Sequence, residues 1–146
     1  MLTQRALLRR CFHDRPTTEE QEREHDDRFC RQADAFTYAL ALYGEDAIGF
    51  AAAYRPTITY RGRAIRLGGL GDVCTDPGRR RSGIATAVVR AAVTELQAAE
   101  CDLAYPCTDV TNPGMVRLYG QLGFVPLSRP HSYLGKSGTL CRPPRQ

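Results

Sequence analysis

Residues Val73–Val89 read VCTDPGRRRSGIATAVV. The residues up to Thr75 suit the end of a strand. Asp76-Pro77-Gly78 is a turn sequence, because proline presets φ, glycine takes conformations closed to other residues, and an aspartate side chain bonds to backbone just ahead of it. From Ser82 to Ala99 the chain reads SGIATAVVRAAVTELQAA, with apolar residues at 84, 88, 89, 92, 93 and 96. That spacing lines one face of a helix. A strand therefore runs through a short turn into a helix that opens at a glycine. The first turn of a helix has N–H groups without partners and about half a positive charge. Gly83 and Ala85 leave that backbone approachable, and Arg79, Arg80 and Arg81 surround it with cations. A phosphate or pyrophosphate is the natural occupant. Neither G-x-x-x-x-G-K-[ST] nor G-x-G-x-x-G occurs here. Taken alone, the arginine triplet also fits a solvated patch or a nucleic-acid contact.

Upstream, FTYALALYG from Phe36 alternates as a strand, Gly44-Glu45-Asp46 turns, and AIGFAAAYRPTITY reads as a second strand. Tyr60-Arg61-Gly62-Arg63 is a hairpin turn, and AIRLGGLGDVCT is a third strand interrupted by glycines. Three such strands in succession make an antiparallel meander. Before them, Leu2–Phe12 has the pattern of a short amphipathic helix. Thr17 or Thr18 then suits the N-cap of a second helix, whose Glu19–Asp27 run is either a solvated face or a negative rim for a cationic substrate. Downstream of the long helix, CDLAYPCT is a short apolar run that suits a buried strand. Asn112–Leu122 reads as a helix with Asn112 as N-cap, Pro113 at its first position and Gly123 as its stop. FVPLS is expected as a strand, and SGTLCR as a last one. The fold class expected is α/β (α+β), a mixed, mostly antiparallel central sheet with helices on both faces.

The whole chain, 1–146, is expected to be a single domain, long enough to bury roughly 68–70% of its unfolded surface. Apolar residues at 42% and charged residues at 25% exclude a wholly disordered chain, a collagen and a coiled coil. No run of 18 apolar residues is present, and the first twenty residues lack an apolar h-region, so the expectation is a cytoplasmic protein with no membrane partner. The net charge of +4 suits an anionic ligand as well as nucleic acid. It is almost all arginine, with Lys136 the sole lysine, so no lysine in the body of the chain can serve as a Schiff base. Six cysteines stand at 11, 30, 74, 101, 107 and 141 without C-x-x-C spacing. They are expected as free thiols, with no metal site.

Two motifs carry a family resemblance. Arg80-Arg81-Ser82-Gly83-Ile84-Ala85 resembles the R/Q-x-x-G-x-G/A signature of the GNAT N-acetyltransferases, with Asp76-Pro77 where that family commonly turns. Downstream, Asn112, Tyr119 and Leu122-Gly123-Phe124 resemble the family's N-x(6)-Y-x-x-L-G-F motif. The resemblance covers about residues 36–127. It implies transfer of an acetyl or other acyl group from acetyl-CoA to an amine. It also implies that the coenzyme's pantetheine arm pairs with backbone at Val73, Cys74 and Thr75, and that its pyrophosphate sits on Arg80, Arg81, Ser82, Gly83, Ile84 and Ala85. Asn112 matches a residue near the coenzyme, and Tyr119 the general acid that protonates the departing thiolate. Thiol and phenol pKa values differ by only about 1.5 units, so a phenol suits that task.

The chain departs from the family in three places. The usual first strand is missing, Arg81 stands where glycine is usual, and the strand ending at Thr75 lacks the glutamate that many relatives use as base. Gly68, Gly69 and Gly71 occupy that region, with Asp72 the nearby carboxylate. Alternation puts Asp72 on the face opposite Gly71 and Val73 unless a bulge re-aims it. Proton removal through Asp72 or through a water relay stands open. AIGFAAAYRPTITYRGRAIRLGGLGDVCT is also similar to aminoglycoside 2′-N-acetyltransferases and, more faintly, to nodulation-type N-acyltransferases, which implies a small-molecule amine such as an amino sugar as acceptor. His131 and Tyr133, in RPHSYLGKSG, would lie on the acceptor side of such a fold. Two other functions remain as alternatives: a non-catalytic acyl-CoA-binding domain, and a nucleic-acid module using Arg79–Arg81. The scattered charge argues against nucleic acid. The resemblance leaves room for a homodimer.

Overall fold

The computed structural model describes residues 3–12, 36–109 and 111–126. The expected helix after Thr17 or Thr18 with its acidic run, the loop holding His131 and Tyr133, and the last strand around 137–142 lie outside the described residues. Among those described, the order is α1 (Gln4–Cys11), β1 (Phe36–Tyr43), β2 (Asp46–Tyr54), β3 (Thr57–Tyr60), β4 (Arg63–Thr75), α2 (Ile84–Ala98), β5 (Leu103–Pro106) and α3 (Pro113–Gln121). β1 pairs antiparallel with β2, β2 and β3 pair antiparallel with β4, and β5 joins β4 in parallel. No helix among the described residues is long and apolar enough to cross a membrane.

Three stretches depart from expectation, the first being CDLAYPCT, whose strand β5 pairs with β4 as the short run suggested but leaves Leu103 and Tyr105 exposed rather than buried. AIGFAAAYRPTITY is two strands rather than one, broken at Arg55-Pro56, because proline has no N–H for the ladder. The register survives the break. Tyr54↔Gly69 and Thr57↔Arg66 fall on one antiparallel ladder, and the Pro56 carbonyl accepts from Leu67 N–H at 2.9 Å across the gap. Phe124–Pro126, the described part of FVPLS, is coil.

Helices cover both faces. On one, Leu7 of α1 packs with Ala47, Phe50, Ala52 and Cys74. On the other, Val88, Val89, Ala92 and Leu96 of α2 and Leu118 and Tyr119 of α3 pack over Ala51, Ala53 and Leu70. This explains why β2 reads FAAA rather than alternating with polar residues, since a strand covered on both faces has no wet side. Alanines also let a helix approach closely from each side. Burying each larger apolar side chain of α2 contributes about 1.5–3 kcal/mol. β4 is the longest strand, and both of its edges are used. β5 reaches only from Leu103, opposite Leu67, to Pro106, opposite Leu70. Among the described residues, Gly71–Thr75 therefore continue with no strand on that side.

Candidate functional site

The end of β4 is locked in place by Asp76. Its carboxylate accepts the Gly78 N–H at 2.9 Å, which sets the turn at Pro77, and it is held by Arg10 of α1 at 2.8 Å. Asp76 is only 8% exposed, so this pairing matters more than a surface one. One short helical turn, Pro77–Arg79, follows, and the Ser82 hydroxyl closes it by donating to the Arg79 carbonyl.

The turn delivers the chain to α2 with an unusual start. Gly83, the N-cap, sits at φ +82° and has no side chain to cap with. The first bond of the helix runs from Ala87 N–H to the Gly83 carbonyl at 3.0 Å. The N–H groups of Ile84, Ala85 and Thr86 thus have no partner within the helix. A Cβ on Gly83 would meet nothing within 4 Å, so the space in front is open. Arg81, where glycine was usual, adopts φ +63°, so the loop takes the glycine-like conformation with an arginine in it. The three arginines do different things. Arg79 stacks over the Tyr43 ring at 4.0 Å. Arg80 lies near enough to Cys74 to favour its thiolate, although burial and the neighbouring Cys11 sulfur prevail and hold that thiol well above its usual range. Arg81 is exposed. An anion would meet backbone donors, a helix end and two exposed arginines, Arg80 and Arg81, here, and that set suits a pyrophosphate.

Next to this loop is the edge of β4 that no described strand pairs. Val73 packs toward the α2 core and Cys74 toward α1. Thr75 has a buried hydroxyl with no hydrogen-bond partner among the described residues, and its carbonyl accepts from the Cys11 thiol at 3.3 Å. Val73, Cys74, Thr75 and Arg80–Ala85 thus lie along one path, from the end of β4 through the turn to the start of α2.

Asp72 is at the head of that edge. Phe50 pairs with Cys74 and Ala52 with Gly71, so Ala51 faces two residues, Asp72 and Val73. This is a β-bulge, and Asp72 takes φ +49° in it. Plain alternation would have put Asp72 opposite Gly71. The bulge turns it to the same face instead, the α1 face, where it accepts the Tyr54 hydroxyl at 2.6 Å. Val73 then faces α2.

On the other face, Tyr119 of α3 is buried, with its ring edge-on to Phe124 at 5.8 Å. Burial, and then the nearby Cys107 thiol, push its phenol up to about 12. No hydrogen bond ties its hydroxyl among the described residues. Asn112 caps α3 by accepting the Met115 N–H at 3.3 Å, so its oxygen is committed and its NH₂ is left for a ligand. Among the described residues, no three His, Cys, Asp or Glu side chains group as a metal site.

The sequence reading missed Tyr54 and Arg10. Tyr54 was legible in principle, because the Arg61-Gly62 turn fixes the hairpin register and sets it opposite Gly69. Arg10 gave no signal, since its partner is 66 residues away.

The profile of the Acetyltransferase (GNAT) family matches residues 3–124. N-alpha-acetyltransferase 30 of Homo sapiens is 31% identical over 86 residues, which are 59% of this chain and 23% of that protein, so the chain spans about a quarter of that relative's length. Among solved structures, AAC(6')-Iy in complex with the bisubstrate analog CoA-S-monomethyl-acetylneamine superposes with TM-score 0.74 at 22% identity, covering 91% of this chain and 89% of that one. Glucosamine-6-phosphate N-acetyltransferase from Arabidopsis thaliana superposes with TM-score 0.66 at 15% identity, covering 80% and 78%.

Proposed function

The chain belongs to the acetyltransferase (GNAT) family, and from that premise we propose that it transfers an acetyl group from acetyl-CoA to the primary amine of a small molecule, an amino sugar or aminoglycoside-like acceptor. The observation that carries this reading is the uncapped, glycine-led start of α2 beside five residues of β4 that β5 leaves unpaired. Bound there, acetyl-CoA supplies the activated thioester. The N–H groups of Ile84, Ala85 and Thr86, with Arg80 and Arg81, hold its pyrophosphate, and backbone at Val73–Thr75 aligns its arm.

Two side chains then handle protons. Tyr119 keeps its proton at neutral pH, because burial raises its pKa to about 12, and it donates to the sulfur as the thiolate leaves. Asp72 receives the proton of the incoming ammonium. A simple alkyl ammonium is neutral only about 0.1% of the time at pH 7, a cost of roughly 4 kcal/mol that a positioned base offsets. Amino-sugar amines, being less basic, need less of this help.

Amino-sugar acceptors are supported by the named substrates of the two superposed structures. A second reading, acetylation of the α-amino group of a polypeptide, is favoured by the name of the 31% identical relative. The deciding experiment has two stages. Coenzyme A should bind by calorimetry and raise the unfolding temperature. Thiol release from acetyl-CoA should then appear with glucosamine or neamine. Release only with peptide N-termini would shift the acceptor to the second reading, and coenzyme binding without release from any amine would leave a binding domain.

A further inference from the structure

A carboxylate in a bulge with φ +49° is not where an unassisted strand would put it. Left-handed backbone at a non-glycine residue is unfavourable, so something must over-determine the conformation. The structure supplies that on the α1 face. The Tyr54 ring lies against Gly71, where an added Cβ would come within 3.0 Å of its Cε2, and it packs on Phe36 with ring centroids 5.2 Å apart. Gly69 is equally crowded by the Tyr105 hydroxyl at 3.2 Å. The glycines at 69 and 71 thus admit two tyrosines onto the surface of β4, and one of them reaches Asp72.

We propose that Tyr54 is a positioning residue of the acetyl-transfer site: its hydroxyl, donating to Asp72 at 2.6 Å, aims the carboxylate at the α1 face, where an incoming ammonium loses its proton. The inference rests on the acetyl-transfer reading above. It extends that reading by naming the side from which the amine arrives and the group that holds the base there. Burial, then the hydrogen bond to Asp72 and its charge, raise the Tyr54 phenol well above its usual range, so it remains a donor at every working pH. A hydrogen bond that short to a carboxylate is strong and directional. One Asp72 oxygen is thereby fixed, and the other, which no described residue engages, takes the proton.

The test uses two small amines of the same length and shape, n-butylamine and O-propylhydroxylamine. The first is protonated at pH 7 and needs a base. The second is already neutral. Thiol release from acetyl-CoA is measured with each for wild type, Tyr54→Phe, Asp72→Asn and the double variant. The expected result is a fall of roughly a hundredfold or more for butylamine in D72N and of about tenfold in Y54F. The selectivity for butylamine over O-propylhydroxylamine should fall by the same factors. The double variant should be no slower than D72N alone, because Tyr54 acts through Asp72. Equal slowing of both amines in Y54F, or losses that multiply in the double variant, would overturn the inference while leaving the acetyl-transfer reading intact. If wild type releases thiol with neither of these amines nor with glucosamine, neamine or a peptide N-terminus, that reading fails and takes the inference with it, and if D72N slows both amines alike, Asp72 is not the base and the inference falls alone. Gly71→Ala provides a second route, since it pushes the Tyr54 ring while keeping both polar groups. It should also lower the butylamine selectivity, and an unchanged ratio would count against the inference.

Discussion

Gly49 tests whether the start of α2 is the ligand seat without altering any group that touches a ligand. A Cβ added there would stand 2.3 Å from Ile84 Cγ2, 3.3 Å from Ala41 Cβ and 3.5 Å from Val88 Cγ1. Ordinary carbon contacts lie near 3.5–4.0 Å, so the shortfall at Ile84 is more than about 1 Å. Ile84 cannot swing aside, because a β-branched residue in a helix has one strongly preferred rotamer. β2 cannot retreat either, since it is paired on both edges and Ala51, Ala52 and Ala53 are fully buried. The first turn of α2 must lift. Overpacking of this kind costs about 1–3 kcal/mol, which is a drop of about 3–10 °C in Tm for a domain this size. The same lift moves the N–H groups of Ile84 and Ala85 away from the pyrophosphate. Losing one charge-assisted bond at about 1.5–3 kcal/mol weakens coenzyme A binding at least about tenfold. Calorimetry and thermal unfolding of Gly49→Ala measure both effects. Gly120→Ala is the control, because an alanine there is exposed on α3 with nothing within 4 Å. It should gain about 0.5–1 kcal/mol. A G49A protein with lowered Tm and unchanged coenzyme affinity would refute the placement of the pyrophosphate on α2.

The remaining expectations concern single groups around the same site. Tyr119→Phe should lower kcat by about 10²-fold or more, with coenzyme affinity little changed. Because the acid must stay protonated and its pKa is raised to about 12, Tyr119 should cause no loss of rate as pH rises from 7 to 10, which a pH–rate profile checks. Arg81→Gly relieves φ +63° and should raise stability by about 1 kcal/mol, while a calorimetric titration shows modestly weaker coenzyme binding from the lost charge. Arg10→Ala leaves the buried Asp76 with only its turn bond. It should cost about 1–2 kcal/mol in denaturant unfolding, a figure reduced from that of a fully buried pair because Arg10 is half-exposed.

What could be read from the sequence, and what could not, divides by the range of the interactions. The strand–turn–helix at Val73–Val89 was legible because its causes are local: a turn triplet, a glycine at the helix start and an apolar stripe. The same holds for the cap at Asn112. The split at Arg55-Pro56 was missed because the strand-like residues on either side outweighed one proline, and the Pro56 carbonyl still serves the ladder. The aim of Asp72 was open because a bulge has no sequence signature of its own. It arises where β4, pinned by the hairpin at Arg61-Gly62 and by Asp76 at its other end, carries one residue more than β2 can match. Arg10 was invisible for the plainest reason, a partner 66 residues distant in sequence.

The bulge also bears on why acid and base can work at once. In an unbroken strand Asp72 would face α2, on the side of Tyr119, and the thioester, amine, donor and acceptor would crowd one surface. With the extra residue, Val73 faces α2 while Asp72 faces α1. The two proposed proton-handling groups then lie toward opposite faces of the sheet, beside the stretch of β4 that β5, ending at Pro106, leaves unpaired among the described residues. In the proposed reaction the amine approaches from one face and the sulfur departs toward the other. Acyl transfer passes through a tetrahedral carbon that carries amine and sulfur at once, so base and acid must each reach a different substituent of that one carbon. Deleting one residue from the bulge, Asp72 or Val73, restores regular pairing and leaves either no carboxylate or one turned to α2. Either deletion should abolish base-dependent transfer while coenzyme A still binds at the intact start of α2.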